Sequence, residues 1–303
     1  MTIPHRTPPW AILTVWWIAC LAWSGTFLFI RLGLREIPPL TFASARLAIA
    51  LAILAPLAAA QVRRTSIPRW EWARLSATGL LLLGVNYALL YWGAQFIPSG
   101  LTAILQAMTP VFALGLGWLL GSEEPTKGKL LGLTVGFAGL FVIFGAEARL
   151  SGPRAITGSA AVLGGAFCVA LAYVTVKTYS IRLPPAVVMT IQIGVAVVPM
   201  AAAALLFEGI PPAATWSASA WLALLYLALV GSVGAFWLNY WLLQRIDTSP
   251  MLMMGIAEVP IAILLGAAFL TERLAPATLA GAALILAGVL AMLPRRQAEA
   301  ARE

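Results

Sequence analysis

Long apolar runs cover most of the chain, and the charged residues fall almost wholly between them. Apolar residues make up 61% of the 303 residues and charged residues only 10%, far from the composition of a soluble domain. A helix needs roughly 20 apolar residues to cross about 30 Å of hydrocarbon. The pattern therefore predicts an all-α polytopic membrane protein with ten transmembrane helices, at residues 10–32, 38–60, 73–96, 99–121, 128–146, 156–179, 184–207, 218–244, 248–270 and 276–293.

The Lys and Arg residues predict how these spans are oriented. With a cytoplasmic N-terminus, thirteen of the nineteen basic residues lie in cytoplasmic segments, five lie on the opposite side, and Arg46 lies within the second span. Because cytoplasmic segments carry an excess of Lys and Arg, we expect both termini inside. The net charge of +8 then reflects segments that face anionic lipid, and it does not indicate nucleic-acid binding.

The chain contains an internal repeat. The segment Tyr91–Ile97 returns 149 residues later as Tyr240–Ile246, with Tyr-Trp at its start and Gln four residues after the Tyr. Each half holds five predicted spans, an odd number, so the second half enters the membrane from the opposite side. The pattern predicts two inverted five-helix repeats, residues 1–147 and 148–303, with a binding site between them. Transport by alternating access is the first functional hypothesis, and a duplication that only stabilises a helix bundle is the alternative.

Both halves carry the same short motifs in the same order. A proline in the fourth span precedes a Glu and a glycine-rich fifth span, and Trp23-Ser24-Gly25 lies in the first span. The matching residues are Pro110, Glu123, Gly132, Gly136 and Gly139 in the first half, and Pro260, Glu272, Gly281 and Gly288 in the second.

These motifs resemble the two EamA-type repeats of the drug/metabolite transporter superfamily, over the whole chain. Within the superfamily, the chain is most similar to the bacterial amino-acid exporters of the YddG type, whose substrates include aromatic amino acids. It departs from the family pattern at Ser122-Glu123-Glu124, where Gly-Glu is usual. Ala172-Tyr173 also stands where a Trp-Gly pair is expected in the sixth span.

Glu258 is the only carboxylate predicted deep within a span, eleven residues into the ninth and two before Pro260. Because a charge inside the membrane needs a partner, a cavity or a solute, Glu258 can bind a substrate ammonium group or carry an exchanged proton. A protonated, hydrogen-bonded structural Glu is the alternative. Pro110 and Pro260 lie within predicted spans and are predicted to bend them or to act in gating.

Polar and aromatic residues recur on the repeat-related third and eighth spans. Such residues can line a cavity that stacks an aromatic solute and hydrogen-bonds its polar end. The predicted substrate-binding residues are Trp17, Asn86, Tyr87, Gln106, Tyr173, Trp237, Asn239 and Glu258. Those nearer the span ends are instead expected in the aromatic belt or in helix-end packing, namely Tyr91, Trp92, Gln95, Tyr240, Trp241 and Gln244.

Arg46 lies about seven residues beyond Pro39, roughly 10 Å along its helix. This places it nearer the outer face than the midplane. We expect structural pairing or snorkelling of its side chain rather than contact with a substrate carboxylate.

The inventory of reactive residues argues against an intramembrane enzyme. The only histidine, His5, lies in the tail, and the only aspartate, Asp247, lies in a link. A Ser-His pair, a His metal site or an aspartyl dyad therefore cannot be built in the membrane. Cys20 and Cys168 fall within spans, so no disulfide, metal or cofactor is expected.

The sequence therefore predicts a monomeric multi-pass carrier of the bacterial inner membrane that exports small zwitterionic solutes, most of all aromatic or hydrophobic amino acids. Protons are the candidate coupling partner. The alternatives are a multidrug exporter or another metabolite carrier of the same superfamily, such as one for sugar phosphates or nucleotide sugars. A phosphate carrier would need two or more basic groups near the midplane. A channel fits the paired repeats and prolines less well.

Overall fold

The computed structural model describes residues 8–62, 67–122, 126–150, 152–177, 183–210, 213–243, 245 and 248–292. Apart from one 3₁₀ turn at Ala213–Thr215, these residues form ten helices joined by short links, with no strand among them. The helices are α1 Pro9–Gly33, α2 Pro39–Val62, α3 Arg69–Ala94, α4 Ser99–Leu119, α5 Lys127–Leu150, α6 Pro153–Lys177, α7 Pro185–Phe207, α8 218–243, α9 Thr248–Leu270 and α10 Pro276–Met292.

Eight of the described helices, α1 to α8, are long and apolar enough to cross a membrane. The last two contribute shorter apolar stretches, Met254–Leu270 and Pro276–Met292. The predicted all-helical class is confirmed, whereas ten spans with both termini inside stay a prediction.

Proline begins five of the helices, α1, α2, α6, α7 and α10. The first turn of a helix leaves its N–H groups without partners within the helix, so a residue that lacks an N–H loses nothing there. A proline after a short link can therefore begin the next helix, and this position of proline marks the short links in the sequence.

Three pairs of helices that lie five positions apart in the chain pack on one another, α2 with α7, α4 with α9 and α5 with α10. The contact of α5 with α10 is the most extensive, and that of α3 with α6 exceeds that of α2 with α7. Other large contacts join α1 to α8 and α4 to α6. Every one of these pairs joins the first half of the chain to the second, so neither half is packed as a separate body.

Glycines bring α5 and α10 into backbone contact. A Cβ atom at Gly139 would lie 2.5 Å from the carbonyl oxygen of Gly281, and one at Gly288 would lie 2.7 Å from that of Gly132. Small residues at such positions let two helices approach closely in a membrane. The glycine-rich fifth and tenth helices therefore pack against each other within one chain.

Carboxylates hold three helix N-termini at one end of the bundle. Glu208 accepts hydrogen bonds from the backbone N–H groups of Leu40 (2.8 Å) and Thr41 (2.7 Å) at the start of α2. Glu272 accepts from the N–H (2.8 Å) and hydroxyl (2.7 Å) of Ser99, which begins α4. A carboxylate satisfies free N–H groups there and lies at the positive end of the helix dipole.

The third cap lies before α8. Glu36 accepts hydrogen bonds from the N–H (2.7 Å) and hydroxyl (2.5 Å) of Ser217, and these bonds hold the pKa of Glu36 below its usual value. Arg31 donates to the carbonyl oxygens of Ala94 (3.1 Å) and Gln95 (2.6 Å), and its Nε lies 3.9 Å from Glu272. We call this set of segments, residues 31–41, 94–99, 208–210, 213–217 and 272, the capped end.

Replacing Gly139 or Gly288 by Ala should lower the free energy of unfolding by about 1–3 kcal/mol, because the added methyl forces two backbones apart. The control is Gly145→Ala on α5, since a Cβ there meets no atom within 4 Å. Thermal unfolding of the purified variants in detergent checks this. Equal unfolding temperatures for Gly139→Ala and Gly145→Ala would contradict the close helix contact.

Candidate functional site

A cavity of about 1640 Å³ lies between helices of both halves. Its lining comes from all of the described helices except α7, and it extends to Gly117, Lys129 and Met292. These last residues lie at the end of the bundle opposite the capped end. The cavity therefore has a mouth at one end and is closed at the end where the carboxylates cap the helices.

The structure brings six of the eight predicted substrate-binding residues to this cavity. They are Asn86, Tyr87, Gln106, Tyr173, Asn239 and Glu258. The six come from α3, α4, α6, α8 and α9, and they give the largely apolar lining its aromatic rings, its amides and a carboxylate. Whether they bind a solute stays a prediction.

Trp17 and Trp237 lie outside the cavity lining, so the structure does not place them with the other six. Their side chains are 46% and 61% exposed on the outside of the bundle. Neighbours on a helix point about 100° apart, and it is Trp16 that packs inward beside Cys20 and Met254. The sequence could not decide between the inward and the outward face of the helix, because a Trp side chain is stable both in lipid and in the apolar interior of the bundle.

The two prolines predicted for helix bending differ. Helix α4 is interrupted at Ala107 and Met108, immediately before Thr109 and Pro110, and Pro110 lines the cavity. Helix α9 runs without interruption through Pro260, which is exposed. The described helices are thus interrupted next to Pro110 and continuous through Pro260, and helix bending or gating by either proline stays a prediction.

An amide pair joins three helices at the cavity wall. The Gln106 side chain donates to the Asn86 side-chain oxygen and to the backbone carbonyl of Val162, both at 3.4 Å. Asn86 in turn donates to the carbonyl of Leu82 at 3.1 Å. Gly165 leaves room for Asn86, since a Cβ there would lie 2.6 Å from its side-chain oxygen. These long bonds leave hydrogen-bonding capacity on both amides.

Glu258 lines the cavity without a protein partner within the described part of the chain. None of the described residues donates a hydrogen bond to it or forms an ion pair with it. Tyr173 and Cys20 lie within electrostatic reach. A structural carboxylate in a membrane protein would normally be hydrogen-bonded, so this geometry favours a role for Glu258 toward a solute or a proton.

The sequence led us to expect a structural pair for Arg46 or a side chain that snorkels outward. In the structure, Arg46 lines the cavity. The residue is only 4% exposed. Its guanidinium group donates to the Ser232 hydroxyl (2.9 Å), the Tyr91 hydroxyl (3.0 Å) and the Gly231 carbonyl (3.2 Å). It also lies over the Tyr87 ring, 4.9 Å from the centroid.

Tyr91 was expected near a helix end, yet it is fully buried beneath Arg46. Trp23, Thr26, Phe27 and Phe236 line the cavity as well, although the sequence did not single them out for it. Gln244, Glu123 and Glu124 lie outside the described residues. The repeated Tyr-Trp pair at 91 and 240 indicated that this segment matters. It did not indicate the direction in which the Tyr91 side chain points.

Two π-helical segments support the site at corresponding places in the halves. Leu80–Val85 precedes Asn86 and Tyr87 in α3, and Tyr226–Gly234 precedes Phe236 and Asn239 in α8. The second segment supplies the Gly231 carbonyl and the Ser232 hydroxyl that hold Arg46. Such segments are rare and frequently occur at functional sites, and this sequence offered no signal for them.

The model of the EamA-like transporter family matches residues 9–145 and, a second time, residues 156–293. The chain belongs to this family. The double match confirms the resemblance to the drug/metabolite transporters with two EamA repeats, and it points to a transport role.

Known proteins similar to this EamA-like transporter extend over nearly all of it. A probable amino-acid metabolite efflux pump of Salmonella typhimurium is 28% identical, with 90% of this chain and 91% of that protein covered. A probable terminal-alkyne amino-acid exporter of Streptantibioticus cattleyicolor is 28% identical, with 97% and 95% covered. A crystal structure with 20% identity matches with a TM-score of 0.62 over 94% of this chain and 96% of its own, which shows the fold alone.

Family membership, bacterial relatives and eight helices that are long and apolar enough to cross a membrane make the chain a multi-pass protein of the bacterial inner membrane, as the sequence predicted. The finer assignment to the YddG type is not decided by these similarities.

Cysteine labelling tests the cavity mouth. In a variant with Cys20 and Cys168 replaced by Ala, a cysteine at the cavity-lining Ala113 should react with a water-soluble maleimide. A cysteine at Val198 should not, because this side chain is 69% exposed on α7 and faces lipid there. Equal labelling of both positions in membranes, measured by gel shift, would contradict the water-filled cavity.

Proposed function

We propose that this EamA-like transporter exports small zwitterionic solutes, above all aromatic and other hydrophobic amino acids. The observation that carries the proposal is Glu258, a carboxylate without a partner among the described residues in a cavity lined by aromatic and amide side chains. A substrate ammonium group pairs with the carboxylate, and rings such as Tyr87 and Tyr173 cover an apolar side chain. The two relatives with amino acids in their names support this substrate class, and a YddG-type specificity is its narrower form.

The proposed mechanism is alternating access between two inverted five-helix repeats. The pairing of α2 with α7, α4 with α9 and α5 with α10 supports a pseudo-two-fold axis in the membrane plane, about which the repeats exchange conformations. In a topology of ten spans with both termini inside, Lys127 and Lys129, which lie at the mouth, are on the cytoplasmic side. The cavity then faces the cytoplasm, where an exporter collects its solute, and the capped end closes the outer side.

Glu258 also provides the means for proton coupling. A zwitterion carries no net charge, so the membrane potential alone does not drive it. A proton that enters the cell through Glu258 supplies about 2.3 kcal/mol for each 100 mV of potential. The same carboxylate in an apolar cavity suits a lipophilic organic cation, which makes a multidrug exporter the second candidate.

Radiolabelled tryptophan should exchange into liposomes that contain the purified protein and unlabelled tryptophan. We expect saturable uptake that is blocked by other hydrophobic amino acids and not by a lipophilic cation. No flux above protein-free liposomes, together with transport of the cation, would replace amino-acid export by multidrug export.

Glu258→Gln should weaken tryptophan competition about 10- to 100-fold, because a charge-assisted hydrogen bond is worth about 1.5–3 kcal/mol. It should also abolish uptake driven by a pH gradient. Glu71→Gln is the control, since Glu71 is a buried carboxyl residue on α3 outside the cavity lining. Unchanged exchange and unchanged gradient-driven uptake in Glu258→Gln would remove Glu258 from the mechanism.

A further inference from the structure

The positive charge of Arg46 has no carboxylate partner in the part of the chain that the structure describes. No Asp or Glu there lies within 4 Å of its guanidinium group, and its hydrogen bonds go to a serine, a tyrosine and a backbone carbonyl. Arg31, by comparison, approaches Glu272 at the capped end. A guanidinium group at 4% exposure within a membrane-spanning helix is costly unless something balances it.

The hydrogen bonds of Arg46 also leave donors unused. A guanidinium group has five N–H groups, and the described acceptors take three of them, one each on Nε, Nη1 and Nη2. One N–H therefore remains on Nη1 and one on Nη2. Two N–H groups on neighbouring nitrogens match the two oxygens of a carboxylate, which is the geometry of the strongest arginine pairs.

The surrounding residues fix Arg46 in place at the cavity. Ser232 and Gly231 hold it from the π-helical segment of α8, and Tyr91 holds it from α3. The Ser232 hydroxyl is itself directed, because it donates to the carbonyl of Leu227 at 3.0 Å. Gly231 has to be small, since a Cβ there would lie 2.8 Å from the Thr26 methyl and 3.3 Å from Nη2 of Arg46. The guanidinium group of Arg46 is therefore already positioned to bind a ligand.

Arg46 and Glu258 line the same cavity. The guanidinium group lies over the Tyr87 ring, and Tyr173 is a further aromatic residue of the lining. Apart from the lysines at its mouth, the cavity thus carries one positive and one negative group together with aromatic rings, and no described residue forms an ion pair with either group.

We propose that Arg46 binds the carboxylate group of the solute, so that the cavity selects organic acids with an apolar body. Resting on the proposed function, this assigns the two ends of the zwitterion, with the carboxylate at Arg46 and the ammonium group at Glu258. Arg46 is then a specificity-determining residue and not only part of the packing.

Four ligands with the same ring system test the assignment. Tryptophan carries both charges, indole-3-propionate only the carboxylate, tryptamine only the ammonium group, and 3-methylindole neither. Their affinities are measured by ligand-induced thermal stabilisation of the purified protein and by competition with tryptophan exchange. The variants are Arg46→Gln, Arg46→Lys and, as the control, Arg154→Gln, an exposed arginine at the start of α6 outside the cavity lining.

In Arg46→Gln, we expect the affinities for tryptophan and indole-3-propionate to fall about 10- to 100-fold. Tryptamine should bind as well as before or more tightly, because a like charge has been removed. Arg46→Lys should recover part of the loss, since lysine keeps the charge without the two-pronged geometry. Arg154→Gln should bind all four ligands as the wild type does.

A purely structural Arg46 predicts something different, namely that Arg46→Gln weakens all four ligands alike or none of them. Either result would overturn the assignment while leaving tryptophan exchange, and thus the proposed function, in place. A wild type that binds indole-3-propionate through Arg46 but does not exchange tryptophan would overturn zwitterion export and keep the carboxylate site. A wild type that takes tryptamine alone would overturn both.

If Arg46→Gln does not fold, the wild type and two milder variants decide the question. Indole-3-propionate must compete better than 3-methylindole in the wild type. Tyr91→Phe and Ser232→Ala, which each remove one acceptor of the guanidinium group, must reduce that advantage. Equal competition by the acid and the neutral compound in the wild type would overturn the assignment.

Discussion

A charge inside hydrocarbon must be matched by a partner, by water or by a solute, and this constraint separates two groups of charged residues in the protein. At the capped end, Glu208 and Glu272 are engaged by helix N-termini and Arg31 by carbonyl oxygens. In the cavity, Arg46 and Glu258 have no charged partner among the described residues. The first group closes one end of the bundle, and the second lies in the interior, where we propose the solute binds.

The caps at the closed end all join the two halves of the chain. Glu208 and Glu272, from the second half, bind the first turns of α2 and α4, and Glu36, from the first half, binds Ser217 before α8. Opening this end therefore requires backbone N–H groups of one half to separate from carboxylates of the other half. The caps made by Glu208 and Glu272 are each worth on the order of 1 kcal/mol, so they hold the end closed without making its opening prohibitive. A carrier needs a closure of that strength, because both of its states must be populated during a transport cycle.

The positions of the helices could be predicted from the sequence, because membrane thickness sets the length of an apolar segment that crosses it, and segments of that length are visible in the sequence. The sequence was also sufficient for Asn86, Gln106 and Glu258, since a polar group within an apolar span stands out. It was insufficient for Trp17 and Trp237, because lipid and protein interior are both apolar and a hydrophobic side chain gives no sign of which one it faces. Arg46 shows the same limit. Its depth could be counted from Pro39, but its direction depends on acceptors that a π-helical segment of another helix supplies 185 and 186 residues away.

A pair of unmatched opposite charges also explains how solute binding and closure of the mouth can be linked. Closing an empty cavity would remove water from Arg46 and Glu258 while leaving both without a partner, and that cost rises as the surroundings become less polar. An amino acid carries both complementary groups, so an occupied cavity can close at a much lower cost. Tryptamine would neutralise Glu258 but add a second positive charge near Arg46, and indole-3-propionate would do the reverse. With the two ends of the solute bound as we propose, the closing step itself selects for zwitterions, because only a ligand with both charges favours the closed state over the open one.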